Sequence, residues 1–196
     1  MVTAAPPEVA TDLIRRDLLA RRDALEAVFR AQAAEAVANR DFPLPVPPGA
    51  RVSGFMPIRS EINPLPLMRR LADAGAALAL PTIAERGQPL VLRAWRLGDV
   101  LRRGQWGIRE PDPTAPAVEP DVVLAPLAAF DRTGYRIGYG AGYYDLTLNA
   151  LRARRPVVAL GLAYAVQEVD AVPREAHDAR LDFILTERET IDCRGA

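Results

Sequence analysis

The chain has no lysine: all 25 of its Lys+Arg side-chain cations are arginine. That absence removes Schiff-base chemistry, a pyridoxal phosphate anchor and a P-loop lysine, since each needs a primary amine on a side chain. Any phosphate-bearing ligand would have to rely on arginine, backbone amides and a metal ion. Cysteine is nearly absent too. The single Cys193 excludes an intramolecular disulfide, fits a reducing compartment and, so near the C-terminal end, is read as structural rather than nucleophilic. There is one histidine, His177, and aromatic residues make up only 6 % of the chain. Net charge is also missing, with 25 acidic residues against 25 basic ones, so bulk charge points to neither a nucleic acid nor an anionic membrane. No apolar run is long enough to span a bilayer, and "MVTAAPPEVATDLIRRD" lacks the basic-then-apolar order of a secretory signal. The expectation is a soluble, cytoplasmic, monomeric protein with no nucleic-acid or membrane partner.

What is present is apolar substance: 49 % of 196 residues are hydrophobic, enough for a substantial core in one folding unit over residues 1–196. From Thr11 to Asn39, Ile14, Leu18, Leu25, Phe29 and Ala36 recur at helical spacing, which predicts one amphipathic helix with Arg15, Arg16, Arg21 and Arg22 on its polar face. The prolines of "DFPLPVPPGA" stop it. "RVSGFMPI" is β-prone, "NPLPLMRRLADAG" reads as a helix closed by Gly75, and "AALALP" and "PLVLRAW" read as strands. The proline-rich stretch from Arg96 to Pro120, with Trp106 in its middle, reads as a long irregular loop. "DVVLAPLAAF" is a nearly all-apolar strand of the doubly buried kind. A glycine-rich loop, the helix "GYYDLTLNALRARR", the strand "PVVALGLAY" and a final strand "FILTE" follow. Strands alternating with helices predict an α/β fold, a compact three-layer sandwich around a mainly parallel open sheet, with ligands at the strand carboxyl ends.

The chemistry concentrates in "FDRTGYRIGYGAGYYD". Gly138, Gly140 and Gly142 alternate after a buried strand and precede a helix, so backbone amides can approach an anion without Cβ interference and the helix N-terminus favours negative charge. The spacing is neither a dinucleotide fingerprint nor a Walker A loop. On spacing alone, a tight turn with core tyrosines is an equal reading; Arg136 and Asp145 flanking the loop favour an anion with a metal ion. Asp145 is either a helix-start carboxylate or a magnesium ligand. Glu61 is either a helix-start carboxylate or an acceptor in the strand-end crevice, Trp106 a plug or an aromatic wall, and His177 a satisfied loop histidine.

Taken together, "IRRDLLARR", "FMPIRSEI", "QWGIREP", "APLAAFDRTGYRIGYGAGYYD", "GLAYAVQ" and "HDARLDFILTE" occur in an order that resembles the 5-formyltetrahydrofolate cyclo-ligase (methenyltetrahydrofolate synthetase) family over nearly the whole chain. The resemblance implies the sandwich fold shared with phosphosugar isomerases and acyl-CoA transferases. It also implies ATP-dependent, Mg²⁺-dependent ligase chemistry that cyclises 5-formyltetrahydrofolate to 5,10-methenyltetrahydrofolate, releasing ADP and phosphate. The formyl oxygen takes the γ-phosphoryl group and a neighbouring folate nitrogen displaces phosphate. Motif by motif, the resemblance implies ATP contacts at Arg15, Arg136, Gly138, Gly140, Gly142, Tyr143 and Tyr144. Folate contacts fall at Met56, Glu61, Trp106, Tyr139 and Tyr143, catalytic roles at Arg136 and Tyr144, and magnesium carboxylates at Asp145 and Asp178.

The chain departs from the family pattern at Thr11, where a lysine is common, and at Ala141 and Leu146. A lost cation near a triphosphate is worth roughly 1.5 to 3 kcal/mol. That departure admits a second expectation, a diverged member that binds folate or nucleotide without turnover. A different α/β enzyme on a related scaffold is the third.

Overall fold

The computed structural model describes residues 7–195. The N-terminal region folds as two helices, α1 (Pro7–Asp23) and α2 (Ala27–Asn39), rather than the single helix expected over Thr11–Asn39. Neither glycine nor proline breaks it. Glu26 takes an extended conformation at the start of α2, and Arg22, expected on a solvated face, is only 1 % exposed. Its guanidinium is drawn inward to Ser60, so tertiary bonding overrides good local helix propensity.

The remaining elements are β1 (Arg51–Ser53), α3 (Leu65–Asp73), β2 (Ala77–Thr82), β3 (Val91–Ala94), β4 (Arg102–Arg103), β5 (Arg109–Glu110), β6 (Val122–Pro126), β7 (Ala129–Phe130), β8 (Arg136–Ile137), α4 (Tyr143–Arg152), β9 (Val158–Leu162), β10 (Phe183–Leu185) and β11 (Thr190–Asp192). Seven strands form one sheet in the order β11-β10-β9-β6-β1-β2-β3. The five inner strands are parallel, while β3 and β11 close the two edges antiparallel.

Three sequence expectations are corrected here. "DVVLAPLAAF" is not one strand: β6 ends at Pro126 and the chain then turns into a separate β7–β8 hairpin. The stretch from Arg96 to Pro120 is not wholly irregular, because β4 and β5 pair across a 3₁₀ turn at Gln105–Gly107. "FILTE" does not end the sheet, since β11 follows it.

The layers follow from side-chain alternation. On β6, Val122 and Leu124 join the core beneath α2 and α3 together with Val52, Leu80, Leu160 and Phe183. Val123 and Ala125 face the opposite way and pack with Leu148 and Leu151 of α4. Both sheet faces are covered, which is why β6 reads as a continuous apolar run. A third, smaller cluster seats Leu18 of α1 on Ala128, Ala129 and Ile137 of the β7–β8 hairpin. Cys193 is fully buried in the α4-side core, and burial pushes its thiol up to about 11, which keeps it protonated and inert.

The chain leaves β1 toward β2 on one side and β6 toward β9 on the other, while β1 and β6 are neighbours. Their carboxyl ends therefore flank a topological switch point, where an open α/β sheet places its ligands. The segments leaving those two ends carry Phe55–Glu61 and the glycine loop.

Candidate active site

The glycine loop is built from the backbone outward. Gly140 and Gly142 adopt positive φ, +95° and +66°, where a Cβ is strained. Gly142 is also the N-cap of α4 and offers no side-chain cap, and the N-terminus of that helix favours negative charge. Gly138 differs: its φ is ordinary and a Cβ there would meet nothing within 4 Å. Its place at the walls of two adjoining clefts, not the backbone, is what a side chain would affect. Gly138→Ala is therefore expected to leave the midpoint of thermal unfolding within about 2 °C while weakening ligand binding. A large loss of stability without a binding change would assign the glycine to folding.

The first cleft, about 170 Å³, is bounded by Phe55, Met56, Ile83, Leu90, Ile108 and Tyr143, with Glu61, Tyr139 and Tyr144 as polar groups. Glu61 is 8 % exposed. The turn before it carries Arg59 in the left-handed region (φ +53°), which brings the Glu61 carboxylate back to accept the Ile58 N–H at 2.9 Å. A non-glycine residue in that region stores local strain. Burial raises the Glu61 carboxyl to about 6, opposed by the Ile58 hydrogen bond, the Arg22 charge and a hydrogen bond with Tyr139. The Tyr139 phenol is pushed up to about 12, first by burial and then by the Glu61 charge. Tyr144 is raised for the same two reasons, with Arg136 opposing. Glu110, on β5 across the cleft, is also raised by burial and accepts the Ile83 N–H at 3.3 Å.

The second cleft, about 200 Å³, is lined by Thr11, Arg15, Arg136, Gly138, Gly140, Gly142, Asp145, Arg174, His177 and Asp178. Arg15 donates from Nε to the Gly138 carbonyl at 2.8 Å and pairs with Asp12. Arg136, its side chain 3 % exposed, donates to Asp145 at 2.8 Å and to the Ala179 carbonyl at 2.5 Å. The same Asp145 oxygen accepts the Ala179 N–H at 3.0 Å, so the pair ties the start of α4 to the segment ahead of β10. Asp178 accepts the Glu175 N–H at 2.7 Å, and His177 stands on the exposed rim. Arg174 stacks over Tyr135 at 4.9 Å and has no hydrogen bond or ion pair among the described residues.

Every residue given an ATP, folate, catalytic or magnesium role in the sequence thus falls on one cleft or the other, apart from Trp106, whose side chain lies outside the described residues; its backbone sits in the 3₁₀ turn of the β4–β5 hairpin. Arg136, Gly138, Gly142 and Asp145 border both clefts. Sequence reasoning passed over Arg22, Arg174 and Glu110. Glu110 lies in the quoted "QWGIREP", but its inward aim depends on hairpin pairing that no local pattern announces. Asp145 and Asp178 share the polar cleft, and among the described residues no three His, Cys, Asp or Glu side chains form a metal cluster. Two carboxylates on one polar cleft fit the donor set of Mg²⁺, which commonly takes one or two carboxylates and completes its shell with phosphate oxygens and water.

A mainly parallel sheet whose switch point holds an apolar cleft and a polar cleft, divided by a glycine loop under a helix N-terminus, defines an α/β protein with a two-part small-molecule site. Among the described residues no helix is long and apolar enough to cross a membrane. The family model for the 5-formyltetrahydrofolate cyclo-ligase family matches residues 8–187, and the chain belongs to that family. The 5-formyltetrahydrofolate cyclo-ligase of Mycolicibacterium smegmatis is 33 % identical over 186 residues, covering 91 % of this chain and 94 % of the relative. That of Haemophilus influenzae is 30 % identical over 178 residues, covering 88 % and 95 %. The NMR structure of the Aquifex aeolicus 5,10-methenyltetrahydrofolate synthetase superposes with a TM-score of 0.77 at 28 % identity, covering 94 % of this chain and 93 % of the other.

Proposed function

We propose that the protein is an ATP- and Mg²⁺-dependent 5-formyltetrahydrofolate cyclo-ligase, closing 5-formyltetrahydrofolate to 5,10-methenyltetrahydrofolate with release of ADP and phosphate. The supporting observation is the partition itself: one glycine loop has an apolar cleft with a buried acid on one side and an arginine-lined cleft on the other. Two ligands of opposite character meet across that loop, as a reaction joining a folate formyl group to a triphosphate requires.

In this reading Met56, Phe55, Ile83 and Tyr143 enclose the flat pteridine, and Glu61 accepts hydrogen bonds from its amino edge, a polar fix in an otherwise apolar pocket. Gly138, Gly140 and Gly142 with the N-terminus of α4 hold the triphosphate, joined by Arg15 and Arg136. Asp145 and Asp178 would hold Mg²⁺, which would neutralise charge on the phosphate oxygens, and ATP would supply the transferable phosphoryl group. Phosphoryl transfer of this kind depends on positioning and charge stabilisation more than on covalent help. Arg136 and Tyr144 suit that work, since both border the apolar cleft at its junction with the loop. Burial keeps the Tyr144 phenol protonated, so it can donate a hydrogen bond to an oxygen gaining charge.

Thr11 lines the polar cleft where the family pattern has lysine, and Arg174 lines the same cleft, held by stacking on Tyr135 without a hydrogen bond or ion pair among the described residues. Arg174 is assigned the role of replacement cation. Arg174→Met is expected to raise the KM for ATP about ten-fold or more, the worth of one charge-assisted contact, with the KM for folate unchanged; Thr11→Lys in that background should restore much of it. An ATP KM indifferent to Arg174 would remove it from the site. The function itself is tested by titrating MgATP and 5-formyltetrahydrofolate into the protein by calorimetry alongside a product assay. Binding of both ligands with product supports the enzyme; binding without product would mark a non-catalytic binder.

A further inference from the structure

Arg22 is the most buried charged side chain of the described core, 1 % exposed, and nothing in the proposed chemistry uses it. Its Nη2 donates to the Tyr139 hydroxyl at 2.7 Å and its Nε to the Ser60 hydroxyl at 2.9 Å. Ser60 in turn donates to the Asp23 carboxylate. Ser60 is the immediate neighbour of Glu61, and Tyr139 lines the same cleft as Glu61, whose charge raises the Tyr139 phenol. Since the Tyr139 hydroxyl accepts from Arg22, its proton is free to point at Glu61. One guanidinium therefore sets the direction of the phenol and braces the turn behind the acid.

The spacing along α1 adds a second observation. Arg15 and Arg22 are seven residues apart, two turns of one helix face. Arg15 binds the carbonyl of Gly138 and Arg22 the hydroxyl of the next residue, Tyr139. One helix thus grips the glycine loop on its nucleotide side and on its folate side.

We propose that Arg22 is a positioning residue of the folate cleft, holding Tyr139 and Glu61 in the geometry that receives the pteridine edge. This rests on the cyclo-ligase reading for the identity of the ligand, though not for the linkage. A buried charge held only for packing would be expected to make stability contacts away from the ligand groups; here its bonds run to Tyr139 and to the turn that carries Glu61. A planar fork with donors in fixed directions also suits the task better than an ammonium would.

The test uses Arg22→Met and Arg22→Lys in the full chain. The Kd for 5-formyltetrahydrofolate is expected to rise about ten-fold or more in Arg22→Met, with partial recovery in Arg22→Lys and the Kd for MgATP within about two-fold. Unchanged folate binding, or an equal loss for both ligands accompanying a fall in thermal stability, would overturn the proposal. If Arg22→Met does not fold, a double-mutant cycle of Arg22→Lys with Tyr139→Phe decides: non-additive losses support the linkage and additive ones refute it.

A ligand-free readout separates this proposal from the cyclo-ligase reading. The Glu61 carboxyl, followed by NMR, should titrate above its native value in Arg22→Met, because Arg22 favours the ionised form. The other groups around Glu61 are retained in that variant: Tyr139 on the loop, Tyr144 on α4, Tyr164 after β9, and Arg109 and Glu110 across the cleft. An unmoved titration would refute the link whatever the protein binds.

Discussion

Asp145→Ala is expected to abolish ATP-dependent turnover and to lower stability by about 3 kcal/mol at once. The double effect arises because the carboxylate has two duties. It is one of two acids assigned to Mg²⁺ in the polar cleft, and it is the partner of Arg136, a side chain 3 % exposed. Removing one member of a buried ion pair leaves the other desolvated, a loss of roughly 3 to 5 kcal/mol when burial is complete. Asp145 is itself 23 % exposed, which places the expected loss at the lower end. Asp145→Asn separates the duties. The amide oxygen can still accept from Arg136 and the Ala179 amide, so much of the stability should return, while a neutral ligand holds magnesium poorly and turnover should stay low. Chemical denaturation and initial rates on the two variants measure this. Full activity in Asp145→Ala would take the residue out of the site.

Glu61→Gln should make the protein more stable and less able to bind folate. The Glu61 carboxyl stands at about 6 against an ordinary 4.5, chiefly through burial. A raised value means that the native state prefers the protonated form. Its contribution to stability is complete below about 4.5 and is lost as pH rises through about 6, so the ionised acid destabilises the fold at neutral pH. The rise from 4.5 to about 6 corresponds to about 2 kcal/mol. At pH 8 the Gln variant should therefore be more stable than the native protein by up to about 2 kcal/mol, and below pH 4.5 the two should converge. Folate affinity should move the other way, falling about ten- to a hundred-fold as a charged acceptor is lost. Denaturant unfolding at several pH values with folate titrations checks both arms; a Gln variant that binds folate as well as the native chain would refute the role of Glu61. Keeping a destabilising acid in a buried cleft is the behaviour of a functional residue.

The layered sheet was legible because β6 and β9 are short continuous apolar runs separated by an amphipathic helix, a pattern with few other solutions. The glycine loop was legible for a similar local reason, with Gly140 and Gly142 marking backbone that needs positive φ. What escaped depended on contacts distant in sequence. Arg22 looked like one more cation on a polar helix face, and only its bonds to Ser60 and Tyr139, 38 and 117 residues away, pull it inward and end α1. Arg174 is a loop residue whose meaning comes from the cleft it borders. The strand β11 adds an antiparallel edge three residues long, too short for alternation to declare itself. Spacing alone left Glu61, Asp145 and the loop glycines with two readings each; their convergence at the β1/β6 switch point favours the functional one.

A chain that passes a phosphoryl group from one cleft to a folate in the other reveals it in a single absorbance measurement. Purified protein mixed with 5-formyltetrahydrofolate, Mg²⁺ and ATP should develop the absorbance of 5,10-methenyltetrahydrofolate, and matched mixtures without ATP should not. ATP-dependent product would establish the ligase and show that Thr11 is tolerated in place of lysine. Folded protein that binds both ligands yet forms no product would show that the chain is not a cyclo-ligase.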